Sequence, residues 1–161
     1  MTRTTTVTRK RRIKGIKGRK RRRKKHYHTG THHSPKCATP VEYRSGWEKT
    51  VAKYLDNDAS VDRYEYESIT IPYVVRGKNR LYYPDFLIWY KGQPGPVLVE
   101  VKRQDKLTDP VVIAKAKAAR EWAQKNGATY QIWTDKLIQS ITLLLEAQAV
   151  SKKQSQAKGN P

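Results

Sequence analysis

Apolar and polar positions follow two alternating periods from Val41 onward, and their order predicts a compact set of elements. Ser45 stands as an N-cap with Glu48 three residues on, and Trp47, Val51 and Leu55 form a stripe at i, i+4 and i+8. That spacing predicts a helix ended by Asn57-Asp58. Val61 to Val75 is rich in β-branched and aromatic residues and reads as a strand, with Pro72 marking an edge or a bend. Arg76-Gly77-Lys78-Asn79 predicts a turn and Arg80 to Tyr90 the paired strand. Gly92 to Pro96 is the next turn, before the short strand Val97 to Lys102. Asp109-Pro110 opens an Ala-rich helix that runs to Asn126 and stops at Gly127, because proline suits the first helical position and glycine the position past the end. Ala128 to Thr134 reads as an apolar strand and Leu137 to Val150 as a last helix, followed by a polar tail over 151–161.

The order is helix, three strands, helix, strand. Short turns make the first three strands an antiparallel meander. The helix between strands 97–102 and 128–134 makes the last pair parallel through a right-handed crossover. The fold class expected is α/β, a mixed sheet flanked by helices. Pleating then sorts side chains by face. Val97, Val99 and Val101 share one face of their strand, and Leu98, Glu100 and Lys102 share the other. In the strand before it, Leu81, Tyr83, Asp85, Leu87 and Trp89 fall on one face. Asp85 is then a lone charge on an apolar stripe, costly unless paired or bound to a cation. Two carboxylates on neighbouring strands with an ammonium beside them make a candidate site for a hard cation, Mg²⁺ or Mn²⁺.

Charge changes the picture at the N-terminus. The chain has 161 residues and a net charge of +20, yet residues 1–40 hold 15 Lys and Arg and no acidic residue. The dense block comprises Arg9, Lys10, Arg11 and Arg12, then Arg19, Lys20, Arg21, Arg22, Arg23, Lys24 and Lys25. Like charges at that density repel, so residues 1–40 are expected to be a disordered arm that neutralises phosphates, and the partner expected is DNA. Residues 41–150 are expected to be the folded domain. Only 37% of residues are hydrophobic, which fits a chain of which part is not packed. No run of 18 apolar residues and no cleavable apolar leader is present, so neither a membrane partner nor secretion is expected. One cysteine, Cys37, cannot build a disulfide framework and fits a reducing compartment. His28, His32 and Cys37 are zinc-ligand types at loose spacing, but no Cys-x-x-Cys pair anchors them, so solvated histidines are the reading preferred over zinc.

Pro84-Asp85 followed, after a 14-residue gap, by Glu100-Val101-Lys102 resembles the signature of the PD-(D/E)XK nuclease superfamily. Tyr43-Arg44-Ser45-Gly46-Trp47-Glu48, Ile71-Pro72-Tyr73 and Tyr83-Pro84-Asp85-Phe86 resemble the TnsA-type endonuclease domain and the head-completion nucleases of tailed phages. The resemblance covers roughly residues 41–135 and implies a restriction-endonuclease-like core. It implies that Glu48, Asp85 and Glu100, with the Val101 carbonyl, hold one or two divalent ions. Lys102 would orient the attacking water or stabilise charge on the scissile phosphate. The activity implied is Mg²⁺-dependent DNA cleavage leaving a 5′-phosphate and a 3′-hydroxyl. A bound metal lowers the pKa of its water and offsets the charge developing on phosphorus. Phage head or portal proteins are the further partners implied, and the host cytoplasm or the virion is the place. Two other readings stay open at this point. One is a non-catalytic DNA-binding virion protein on the same fold, and the other is a resolvase of four-way DNA junctions.

Overall fold

The computed structural model describes residues 28–158. Arg9 to Arg12, Arg19 to Lys25 and the end of the tail lie outside the described residues. In chain order the elements are β1 (Gly30–His32), β2 (Val41–Tyr43), α1 (Gly46–Asn57), β3 (Val61–Tyr66), β4 (Ile71–Val75), β5 (Lys78–Tyr82), β6 (Phe86–Tyr90), β7 (Val97–Lys102), α2 (Pro110–Lys125), β8 (Thr129–Thr134) and α3 (Asp135–Lys158). A 3₁₀ turn, Gln104–Lys106, follows β7.

The central sheet has the order β3-β6-β7-β8, antiparallel through β7 and parallel between β7 and β8. The expected meander and crossover are therefore present, and the mixed α/β architecture is compatible with a restriction-endonuclease-like fold. Two apolar clusters cover its faces. On one, Val51, Ala52 and Leu55 of α1 and Ile138 and Ile141 of α3 bury Phe86, Ile88, Val97 and Val99. On the other, Ala119 of α2 and Ile71, Tyr73 and Val75 of β4 bury Leu87 and Leu98. The helix starts follow the sequence: Ser45 accepts the Glu48 N–H, and Asp109 accepts the Val111 N–H. After α2 the chain leaves through Gly127 at φ 63°, a left-handed position that glycine takes without a Cβ clash.

Four expectations need correction. The strand expected over Val61 to Val75 is two strands, because Glu67 sits at φ 45° and turns the chain out of the extended region. The strand expected over Arg80 to Tyr90 is also two, broken at Pro84, which has no N–H to give a ladder. β4 and β5 consequently pair only with each other, as a separate hairpin. The tail expected from Ser151 continues α3 as far as Lys158, through Lys, Gln and Ala residues that favour helix.

The fourth correction is the arm boundary at residue 40. β1 pairs with β2, Cys37 is buried in the core, and the Tyr64 N–H donates to the Lys36 carbonyl at 2.9 Å. Lys36 Nζ caps the end of α1 through the Leu55 and Asp58 carbonyls, a favourable place for a cation. A lack of acidic residues marks charge and says nothing of packing, so the folded unit begins well before Val41. No helix among the described residues is long and apolar enough to cross a membrane.

Candidate active site

The break at Pro84 places Asp85 against the end of β7. Its Oδ2 accepts the Val101 N–H at 2.6 Å, so the carboxylate abuts the strand between Glu100 and Lys102. Glu100 is the one buried charged residue among those described. Its Oε1 meets Lys102 Nζ at 2.9 Å, and its Oε2 accepts from the Tyr82 hydroxyl at 2.8 Å. Glu48, in the first turn of α1, accepts from the Ser45 hydroxyl at 2.7 Å and, one residue before the N-cap, from the Arg44 N–H at 2.8 Å, a variant of the capping box. Its Oε2 also accepts from the Tyr66 hydroxyl at 2.7 Å. Glu48 thus has the capping role its spacing indicates, and it also lies near enough to Asp85 to act on its charge.

The electrostatics follow from burial. Asp85 is held well above the ordinary carboxylate range, first by desolvation, then by the negative charges of Glu100 and Glu48, against the pull of the Val101 N–H and Lys102. Desolvation alone would lower Lys102. The carboxylates of Glu100, Asp85 and Glu48 outweigh it and hold the ammonium above the ordinary lysine value. Lys102 therefore keeps its positive charge in this arrangement. Tyr66 and Tyr82 are pushed far above ordinary phenols by burial and by the carboxylates they serve, so both remain donors.

Sequence reasoning missed both tyrosines. It assigned Tyr83 and Leu81 to the inner stripe by treating 80–90 as one pleated strand. In the structure Tyr82 faces inward, 1% exposed, while Leu81 is 61% and Tyr83 49% exposed. Asp85 is not part of an apolar stripe; it lies in the break. Glu67, at its left-handed φ, donates its N–H to the Asp85 carbonyl at 3.1 Å and ties the end of β3 to the site. Backbone strain of this kind costs roughly 1–3 kcal/mol and persists where the surroundings enforce it.

Among the described residues, no group of three or more Asp, Glu, His or Cys side chains is gathered tightly enough to hold an ion as it stands. Lys102 and Tyr82 occupy Glu100, and the capping box and Tyr66 occupy Glu48. The donor chemistry suits a hard cation nonetheless, since the half-buried Asp85 has the negative charges of Glu100 and Glu48 near it and is held above the ordinary carboxylate range. The histidines lie elsewhere. His32 Nε2 meets Asp56 at 2.7 Å, Asp56 also accepts from Ser34 and Tyr64, His28 is exposed, and Cys37 is in the core.

Residues 58–135 match the family described as TnsA-like endonuclease N terminal. The match takes in Asp85, Glu100, Val101 and Lys102 and begins after Glu48. The chain is 29% identical over 120 residues to the head completion nuclease of Enterobacteria phage T4, covering 59% of this chain and 79% of that protein. It is 38% identical over 60 residues to endonuclease I of Escherichia phage T7, covering 37% of this chain and 36% of that protein. It is 33% identical over 70 residues to endodeoxyribonuclease 1 of Enterobacteria phage T3, covering 44% and 41% respectively. The nuclease resemblance read from Pro84-Asp85 and Glu100-Val101-Lys102 is borne out: residues 58–135 match the TnsA-like endonuclease N-terminal family and the chain is similar to phage nucleases.

Proposed function

We propose that this TnsA-like endonuclease region hydrolyses phosphodiester bonds in phage DNA with the aid of a divalent cation, and that head completion is the process it serves. The observation that carries the reading is the Asp85 carboxylate seated on the Val101 N–H between Glu100 and Lys102, at the spacing of the nuclease signature. Glu48, Asp85, Glu100 and the Val101 carbonyl are the groups that would hold Mg²⁺ or Mn²⁺. The cation, when bound, supplies an activated water and offsets charge on the scissile phosphate. Lys102, whose ammonium lies 2.9 Å from Glu100, would set its positive charge beside the phosphate oxygens. Tyr82 and Tyr66 keep Glu100 and Glu48 aimed through hydroxyls that do not ionise. The basic arm, Arg9 to Arg12 and Arg19 to Lys25, adds affinity without reading sequence.

The test is cleavage of supercoiled plasmid in Mg²⁺ or Mn²⁺, with EDTA and the Asp85→Ala and Lys102→Ala variants alongside. Nicking or linearisation that EDTA abolishes is expected. Both variants should fall by about 10³-fold, because Asp85→Ala removes a ligand of the cation and Lys102→Ala a positive charge beside the phosphate. Full cleavage by Asp85→Ala would overturn the site. Binding without cleavage by the wild type would favour a DNA-binding virion protein on a nuclease fold.

A further inference from the structure

The β4–β5 hairpin stands outside the central sheet and leads straight into the site. Tyr73 and Val75 turn inward onto α2, and the residues directly opposite them in register are Arg80 and Lys78. Both cations are exposed, as is Arg76 at the tip. Among the described residues none of the three is in an ion pair. The three flank an open recess of about 320 Å³ whose other walls are Tyr73, Val75 and Val111, with no acidic side chain among them. Along β5, Lys78, Arg80 and Tyr82 share a face at steps of about 7 Å, and Tyr82 is the residue that holds Glu100. The cations thus form a row running outward from the candidate site.

The turn adds an independent sign. Arg76 at φ 51° and Gly77 at φ 69° are the two central residues of a two-residue hairpin loop. Both positions are left-handed, a geometry that favours Asn, Asp or Gly. Arginine there is strained, and strain of this sort collects at functional positions.

We propose that Arg76, Lys78 and Arg80 form a phosphate-binding wing that grips the DNA backbone beside the scissile phosphate. The proposal rests on the nuclease reading for the position of that phosphate, and on the hairpin alone for the contact. Unpaired cations in a row match a duplex that presents one negative charge per about 1.7 Å of its axis.

The experiment measures binding of the full chain to a fluorescent duplex in EDTA across a series of salt concentrations. The variants are Arg76→Gln/Lys78→Gln/Arg80→Gln together and Arg76→Asn alone, with thermal melts of each. Each neutralised phosphate contributes about 0.9 to the slope of log K against log salt, so the triple variant should be shallower by about 3 and the single by about 1. Arg76→Asn should also melt no lower than the wild type, because asparagine accepts the left-handed turn more readily. A purely structural role for Arg76 would leave the slope alone. Slopes unchanged in both variants overturn the wing, and if the wild type still cuts plasmid the nuclease stands without it. Shallower slopes with no cleavage by the wild type overturn the nuclease and keep the hairpin as a DNA contact.

Discussion

The two faces of the central sheet are built from different materials. Against α1 and α3, Leu55, Val51, Ile138 and Ile141 pack on Phe86, Ile88, Val97 and Val99 in a thick cluster that encloses no charge among the described residues. Against α2 the buried helix residues are Ala116, Ala119 and Ala123, so the helix lies close to the sheet and much of the side-chain volume comes from the hairpin. That thinner face is where Glu100 and Tyr82 are buried, one residue along β7 from valines that belong to the thick side. Pleating therefore separates two tasks within a single six-residue strand. One face supplies apolar burial, at about 25 cal/mol per Å², and the other tolerates a buried carboxylate because a phenol and an ammonium satisfy it.

The sharpest way to break this division is to cut into the thick face. Leu55 is fully buried, and Leu55→Ala should cost about 2–5 kcal/mol in chemical denaturation through lost transfer energy and a cavity. Turnover per folded molecule should not change. A matching loss of turnover would mean that the two faces are mechanically coupled and the division is false. Overfilling the thin face tests the other side. Ala119 has no exposure and packs with Leu98, the neighbour of Glu100 but one, so Ala119→Leu should cost about 1–3 kcal/mol. It should also lower the maximal cleavage rate, because β7 and the hairpin must move apart. A stability loss with an unaltered rate would place the site beyond the reach of this packing.

The smallest effect concerns Asp85 in protein stripped of divalent ions. Its folded pKa is raised above the unfolded value, chiefly by desolvation and by Glu100, so the native state holds the proton more tightly. Stability is then undiminished below the unfolded carboxyl pKa and falls as pH rises towards the folded one. Asp85→Asn removes that penalty. In EDTA its Tm should exceed the wild type's near neutral pH, with the gap closing on acidification. A Tm at or below the wild type's throughout would show that the charge on Asp85 is already compensated in the fold.

Much of this was legible beforehand. The Ser45–Glu48 capping box, the Asp109-Pro110 helix start, the β7 alternation and the parallel β7–β8 pair are local or periodic features, and each sits where its pattern placed it. Glu100 and Lys102 were placed together because two residues apart on a strand is a fixed geometry. What failed was any inference that needed a break inside an apolar run. A single period carried across Pro84 swapped Tyr82 for Tyr83, and one carried across Glu67 hid the hairpin. The start of the folded unit failed for another reason, since β1 and Cys37 are held by residues distant in the chain, and local composition is silent on distant partners.

Spacing and periodicity alone determined the starts of α1 and α2, the β7 alternation and the neighbouring places of Glu100 and Lys102, because short-range sterics and alternation act within a few residues. Only the tertiary structure decided which hydroxyls hold the carboxylates, how close Glu48 comes to Asp85, and that a row of cations leaves the site along β5. Those depend on where strands break and what they then meet, and burial, not sequence distance, sets the energy of such meetings.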